Sequence, residues 1–188
     1  MNPHTAFSMS ATADYTPPPR NGINFGIAQT YEIRYSHPDG SGWVEYIHNL
    51  IPNVALNTML DIIYGATAKF GSLYVFLVTG PGAGNTYAAT DTMAAHAGWT
   101  EAVPYSDGTR PVATFAAAAS QSTSNSGSPA VFNINGTATI AGVGLSTSNV
   151  KSGTAGTCVG VGNFSGGDRA VAPGGTLTVT VTATAAST

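Results

Sequence analysis

The closing segment of the chain has the strictest pattern in the sequence. From Thr176 to Thr184 it reads Thr-Leu-Thr-Val-Thr-Val-Thr-Ala-Thr, so that apolar and hydroxyl side chains alternate. Successive side chains of a β-strand point to opposite faces, and this alternation therefore predicts a strand with one apolar face towards a core. Because the backbone of a strand must pair with neighbouring strands, the chain has to build at least one β-sheet.

Other segments repeat the pattern over short distances. Tyr31, Ile33 and Tyr35 alternate with polar residues, and Leu73–Val78 is the continuous apolar run of a strand that is buried on both faces. The apolar residues change parity around Gly142, which predicts a β-bulge. Further strands are predicted at 43–48, 111–118, 131–134, 137–145 and 157–164.

Eight or nine short strands, glycine-rich turns and a single helix predict an all-β fold of the β-sandwich type. The chain has one cysteine, so it lacks the Cys…Trp…Cys signature of immunoglobulin domains, and we favour a jelly roll. The sandwich domain is predicted to span residues 25–188. Within it, the Ser-rich stretch 120–128 is expected to be a flexible connection.

The helix is predicted at 53–64, with Asn53 as its N-cap and Gly65 as a left-handed residue just after its end. Its apolar residues recur at helical spacing, and we expect this stripe to pack on the edge of a sheet. The alternative is that the stripe enters a groove of a partner. The stripe comprises Leu56, Leu60 and Ile63, with Met59 beside them.

Residues 1–24 show no periodicity and are predicted to form an extended N-terminal arm. Three consecutive prolines enforce a polyproline II course. Such an arm is either a disordered tail or a segment that becomes ordered on a partner. The residues expected to contact a partner are Phe7, Tyr15, Pro17, Pro18 and Pro19.

Charge is scarce in this chain: only 8% of the residues are Asp, Glu, Lys or Arg, and the net charge is −3. No basic stripe offers a footprint for nucleic acid. No apolar run is long enough to span a bilayer and no signal-peptide pattern begins the chain, so we expect a soluble protein made in a reducing cytoplasm. Cys158, as a single cysteine, cannot form an internal disulfide and is expected to be buried in a strand.

One window of 21 residues, 91–111, holds four of the chain's 15 charged residues and one of its four histidines, together with one of the two tryptophans. We call it the polar block. A hydrolase would need a nucleophile, a base and an orienting group, and Ser106, His96 and Asp91 could fill these roles on paper. No Gly-x-Ser-x-Gly motif is present, however, and we expect no catalysis. The residues of interest in this window are Asp91, His96, Trp99, Glu101 and Arg110.

The alternatives to a structural loop are a metal site and a sugar-binding site. A metal site is not expected, because the spacing of Asp91, His96 and Glu101 suits neither a helix nor a strand, and no cofactor is predicted. Sugar binding would use Trp99 and Tyr105 with Asp107, provided that the rings are exposed. The favoured interpretation is a structural polar loop. In it Arg110 pairs with Asp91 or Glu101, His96 bonds to a carbonyl and Trp99 is the apolar anchor.

The order of several segments resembles a family of virion proteins of tailed bacteriophages. The most specific part is Asp91-Thr-Met-Ala94 followed by His96-Ala-Gly-Trp-Thr-Glu101, then Tyr105 and Arg110-Pro111. The hairpin end His48-Asn-Leu50, Phe132-Asn-Ile134 and the Gly175-Thr-Leu177 strand complete the resemblance, which covers roughly residues 28–184. Some members of this family look like the cement, or head decoration, proteins of short-tailed phages.

The resemblance implies a structural protein of the virion, located on the capsid surface and made in the cytoplasm of the host bacterium. Its partners would be the major capsid protein and further copies of itself, with no nucleic acid and no membrane. Such a protein bridges capsid subunits by many weak contacts acting together and needs no active site. The alternative is a tail or head-fibre component that binds a receptor or a glycan.

Overall fold

A computed structural model describes residues 25–187, and these residues form two antiparallel β-sheets with one α-helix. The predicted all-β sandwich is confirmed. The elements are β1 (Phe25–Ser36), β2 (Gly42–His48), α1 (Asn53–Ile63), β3 (Leu73–Thr79), β4 (Glu101–Ala102), β5 (Val112–Ala113), β6 (Ser122–Ser124), β7 (Ala130–Asn133), β8 (Ala138–Ser146), β9 (Cys158–Asn163), β10 (Arg169–Val171) and β11 (Thr176–Ser187), with a 3-10 turn at Gly82–Gly84 between β3 and β4.

The first sheet is built around β11, the strand in which apolar and hydroxyl side chains alternate. It pairs along its whole length with β1, and β1 pairs in turn with β2. The other edge of β11 is shared by β6 and β7. Leu177, Val179 and Val181 are fully buried, as the alternation predicted.

The second sheet is built around β3 and β8. β8 pairs with β3 on one side and with β9 and β10 on the other, while β4 and β5 pair with β3. The pairing of β3 with β8 shifts by one residue where Val78 lies opposite Gly142 and Thr79 lies opposite Ile140. The bulge predicted around Gly142 is therefore present.

The described residues form two apolar clusters, one on each face of the second sheet. The main core lies between the sheets and includes Val75 and Leu77, whereas Phe76 and Val78 belong to a smaller cluster on the opposite face. The prediction that this strand is buried on both faces is confirmed. The smaller cluster consists of Phe76, Val78, Met93, Trp99, Cys158 and Val161.

The helix forms where it was predicted, but it buries a different face. Leu56, Leu60 and Ile63 are exposed, and the expectation that they pack on a sheet is wrong. The side of α1 that faces the sandwich carries Ala55, which is fully buried, and Met59, which packs on the main core. Both sides are apolar at helical spacing, so periodicity could not separate them, and the small Ala55 allows closer packing.

Of the two predicted ends of the helix, the C-terminal one is confirmed and the N-terminal cap is wrong. Gly65 does adopt a positive φ of 76°, as expected for the residue after a helix end. Asn53 is not the N-cap, because Pro52 holds that position and makes no side-chain cap. The backbone N–H of Asn53 instead donates to the carbonyl of Ala89, at 2.7 Å. A backbone hydrogen bond to a distant part of the chain thus replaces the side-chain cap found at the start of many helices.

Four strand assignments need correction. The strand predicted at 111–118 is limited to Val112–Ala113, and β4 and β10 were not predicted. The stretch 120–128, predicted to be flexible, contains β6 and the buried Asn125. The Asn125 side chain donates to the carbonyl of Val179 and accepts from the N–H of Val181, and so joins this loop to β11.

The jelly-roll connectivity stays a prediction, because the strand order given above does not establish it. In the part of the chain from 25 to 187, no helix is both long and apolar enough to cross a membrane. Cys158, the first residue of β9, is fully buried as predicted.

Candidate functional site

The polar block covers the outer face of the second sheet. Trp99, which is only 4% exposed, stacks on Phe76 of β3 with ring centroids 5.2 Å apart. On its other face Trp99 stacks with the imidazole of His96, at 3.7 Å between centroids. Three flat rings therefore form one column that starts on the sheet and ends at the surface. The column buries Phe76 and gives the loop a fixed position.

Hydrogen bonds hold the loop around this column. The indole N–H of Trp99 donates to Oδ2 of Asp91 at 3.0 Å, and the same oxygen accepts from the backbone N–H of Ala88. Nδ1 of His96 lies 3.0 Å from the carbonyl oxygen of Trp99, the kind of carbonyl contact expected for this histidine. Asp91 is buried, and its Oδ2 accepts both of these hydrogen bonds, from the indole and from the backbone.

The predicted ion pair of the polar block is present between Arg110 and Glu101. Nε of Arg110 donates to Oε1 at 3.0 Å, and Nη2 donates to Oε2 at 2.7 Å, so that the pair is bidentate. The side chains are 0% and 5% exposed. Of the two partners considered for Arg110, Glu101 is correct, and Asp91 binds the tryptophan instead.

Backbone groups and an aromatic ring also contact this ion pair. Nη1 of Arg110 donates to the carbonyl of Ser148 at 2.9 Å, and the N–H of Ser152 donates to Oε2 of Glu101 at 2.8 Å. The guanidinium carbon lies 5.5 Å from the ring centroid of Phe76. The ion pair thus connects β4 and the start of β5 to the loop that follows β8.

No pattern in the sequence indicated that the loop after β8 contributes to the polar block. Nζ of Lys151 lies 3.9 Å from the ring centroid of Tyr105 and donates to the carbonyls of Tyr105 and Asp107. These partners are more than 40 residues apart in the chain, so no local pattern relates them. The carboxylate of Asp107 accepts from the N–H and the side-chain amide of Asn133.

A further buried acidic residue, outside the polar block, was also missed. Glu45 of β2 is only 4% exposed and pairs with Arg169 of β10, while the N–H of Gly166 donates to its Oε2 at 3.0 Å. This ion pair ties the edge strand of the first sheet to the edge strand of the second. Scarce charge is therefore used inside the fold at two separate places.

The geometry does not assemble a catalytic site from the residues considered. The Asp91 carboxylate is bonded to Trp99, and His96 stacks on the same ring. The Ser106 hydroxyl donates to the carbonyl of Asn133, near the isolated bridge between Tyr105 and Ile134. Among residues 25–187, no three His, Cys, Asp or Glu side chains are grouped so that they could hold a metal ion.

The condition for sugar binding is not met either. Trp99 is 4% exposed and Tyr105 is 2% exposed, so neither ring offers a face for stacking. An open hollow of about 830 Å³ does lie over the block, lined by Asp91, His96, Gly98 and several alanines and threonines. The indole that would have been its aromatic platform is occupied on both sides, by Phe76 and by His96.

The most unusual surface of the described chain is the outer face of α1. Leu60 is 53% exposed, Ile63 is 59% exposed and Tyr64, just past the helix end, is 82% exposed. Leu56 extends the same face by one turn. A contiguous apolar helix face is typical of a contact surface. We call these four residues the α1 face.

The residues expected to form a partner-binding arm lie outside the described part of the chain. These are Phe7, Tyr15, Pro17, Pro18 and Pro19.

Together, the fold and the block define an all-β sandwich protein whose charged loop residues are used to fix the loop. The chain matches no protein-family profile, no curated protein sequence and no solved structure.

Proposed function

We propose that this chain is a structural protein of a bacteriophage virion. In this proposal it binds the outside of the capsid and bridges subunits of the major capsid protein, as a cement or decoration protein does. It acts through contact surfaces, without a cofactor and without catalysis, and assembles with further copies of itself. The resemblance of the polar block and its flanking segments to phage virion proteins is the origin of this proposal.

The exposure of the α1 face is the structural observation that most strongly supports the proposal. A helix that already has an apolar side on the sandwich has no need of a second apolar side for folding. Exposing Leu60, Ile63 and Tyr64 to water is unfavourable by on the order of 25 cal/mol per Å² of apolar surface, and a partner that covers them recovers this free energy. The α1 face is therefore our candidate for the contact with the capsid.

The polar block supports the same proposal from a different direction. Its side chains Asp91, Trp99, Glu101 and Arg110 make contacts within the chain, as a rigid support requires. A ligand site of the same composition would hold polar groups ready for a ligand. The scarcity of surface charge is also suited to a protein packed among copies of itself, since it limits mutual repulsion.

The test is to count this protein in purified particles of the phage that encodes it. Quantitative mass spectrometry against the major capsid protein gives the number of copies per particle. Hundreds of copies are expected for a protein that repeats across the capsid lattice. A handful of copies would overturn the capsid assignment in favour of a tail or head-fibre component, and absence from the particle would overturn the virion role.

A further inference from the structure

An apolar groove opens at one end of the sandwich, between the two sheets. It has a volume of about 780 Å³, and its floor includes the core residues Leu145 and Val159. Its walls carry half-buried apolar side chains, and four of them, Met59, Phe70, Leu73 and Phe115, pack on the main core. The wall residues that matter here are Ile27, Met59, Phe70, Leu73 and Phe115.

The groove exists because inward-facing side chains of β11 become small towards this end. Leu177, Val179 and Val181 fill the space between the sheets, whereas the next inward position is Ala183, which lines the groove. In the pairing of β1 with β11, Gln29 lies opposite Ala183 and Ile27 lies opposite Ala185. The core is therefore left open at the start of β1, where the N-terminal segment joins the domain.

The N-terminal segment has the length and the composition to close this opening. β1 begins at Phe25, two residues from Ile27 in the groove wall, so the chain enters the domain at the groove. Pro19 precedes Phe25 by six residues, which span at most roughly 20 Å at about 3.3 Å per residue. A segment tethered so closely has an effective concentration on the order of millimolar at the groove.

The chemistry of the two partners also fits. The segment Tyr15-Thr-Pro-Pro-Pro19 carries the prolines that favour a polyproline II helix, which loses little entropy on binding. Polyproline II segments bind grooves lined by aromatic side chains, and Phe70 and Phe115 lie in the walls of this one. The carbonyls of the segment can stay in water, because this helix has no internal hydrogen bonds to maintain.

We propose that residues 15–19 bind the apolar groove of their own chain and close the open end of the sandwich. The proposal goes beyond the virion role and does not depend on it, since it concerns the free protein. The occupant is this chain's own segment, as its point of entry beside Ile27 favours over a second copy.

A photo-crosslinking experiment on the full-length protein tests the proposal. Benzoylphenylalanine is placed at Tyr15, and the crosslinked residues are mapped by mass spectrometry in a mixture of isotope-labelled and unlabelled protein. We expect crosslinks to 68–73 or 112–118 within one chain. Crosslinks between labelled and unlabelled chains would show that a second copy fills the groove, and crosslinks elsewhere would show that the segment does not bind it. Either result overturns the proposal.

A matched pair of variants gives the control. Ala118 is exposed in the groove wall, and Ala95 is exposed at the hollow over the polar block. Ala118→Arg is expected to abolish the crosslink and Ala95→Arg to leave it unchanged, with both proteins folded. Equal crosslinking in the two variants would overturn the proposal.

Hydrogen exchange provides a second measurement that does not depend on the probe. Replacing Pro17, Pro18 and Pro19 by glycine removes the polyproline II preference and leaves the domain untouched. Backbone amides in 68–73 and 112–118 are expected to exchange about tenfold faster than in the parent, while those of the polar block do not change. Identical exchange of the groove walls in both proteins would contradict the proposal.

Discussion

At the scale of single residues, the buried ion pair is the strongest constraint on the polar block. Arg110 and Glu101 have lost almost all contact with water, and each is compensated by the other and by backbone groups. Removing one partner of such a pair leaves the other charge buried without compensation. The pair therefore fixes the arrangement of β4, β5 and the loop after β8, whether or not it adds net stability over an apolar alternative.

The first prediction concerns this ion pair. Arg110→Ala is expected to lower the free energy of unfolding by about 3–5 kcal/mol, because the Glu101 carboxylate is left in the interior. The matched control is Arg34→Ala, since Arg34 pairs with Glu32 on the surface and is 61% exposed. Its expected cost is about 0.2–1 kcal/mol. Urea unfolding measures both, and equal costs for the two variants would refute the structural role of the pair.

The second prediction concerns the single cysteine. Burial raises the pKa of the Cys158 thiol to about 12, so that almost no thiolate is present in the folded protein at neutral pH. Ellman's reagent at pH 8 is expected to leave the native thiol unmodified and to label one thiol per chain in urea. Rapid labelling of the native protein would show that β9 is not buried by the block.

Predictions about single residues were confirmed where the small number of charged residues was informative. Only a few charges exist in this chain, so an arginine near two carboxylates was expected to find a partner, and it did. The contacts of Lys151 with Tyr105, and of Glu45 with Arg169, could not be predicted in the same way. They join residues from distant parts of the chain, and only the folded topology brings them together.

At the scale of elements, α1 shows that apolar periodicity alone does not identify the buried face of a helix. Two adjacent sides of α1 are apolar, and the longer side chains were expected to be buried. The structure buries Ala55 against the sandwich, because a small residue allows close approach of the helix, and leaves Leu60 outside. The strands were easier to predict, since the alternation in β11 identifies one buried face and the apolar run of β3 predicts the burial of both faces.

The third prediction follows from this orientation. Leu60→Ala is expected to change the free energy of unfolding by less than about 0.5 kcal/mol, as is usual for a surface position. Ala55→Leu, on the buried side, is expected to cost about 1–3 kcal/mol through overpacking. Thermal or urea unfolding of the isolated protein distinguishes them. A larger loss for Leu60→Ala than for Ala55→Leu would show that the buried face has been misassigned.

At the scale of the whole molecule, the two apolar clusters bury groups that would otherwise ionise at high pH. Burial raises the pKa of the Cys158 thiol and of the Tyr87 phenol to about 12 each, and it raises the pKa values of Tyr31 and Tyr105 as well. The folded state therefore holds these protons more tightly than the unfolded state does. The resulting stability is complete below the ordinary pKa values, which are 9.0 for the thiol and 10.0 for the phenols.

The fourth prediction is the consequence for alkaline solutions. As pH rises from about 9 to about 12, the unfolded chain ionises first, and the free energy of unfolding falls. Urea midpoints measured between pH 8 and pH 11 are expected to decline progressively. Cys158→Ala should make the decline shallower at its lower end, where the thiol contributes. A midpoint that stays constant across this range would contradict the burial of these groups.

Among residues 25–187, the α1 face is an exposed apolar helix face, and we propose that it makes the contact with the capsid. The most direct measurement is the occupancy of capsids by a variant that changes this face without changing the fold. Leu60→Asp places a charge in its centre, and Val150→Asp is the matched control, because Val150 is 55% exposed far along the chain in the loop after β8. Both proteins are added to particles that lack this chain, and bound copies are counted after sedimentation. We predict that Leu60→Asp loses most of its binding while Val150→Asp binds like the parent; undiminished binding of Leu60→Asp would contradict the account.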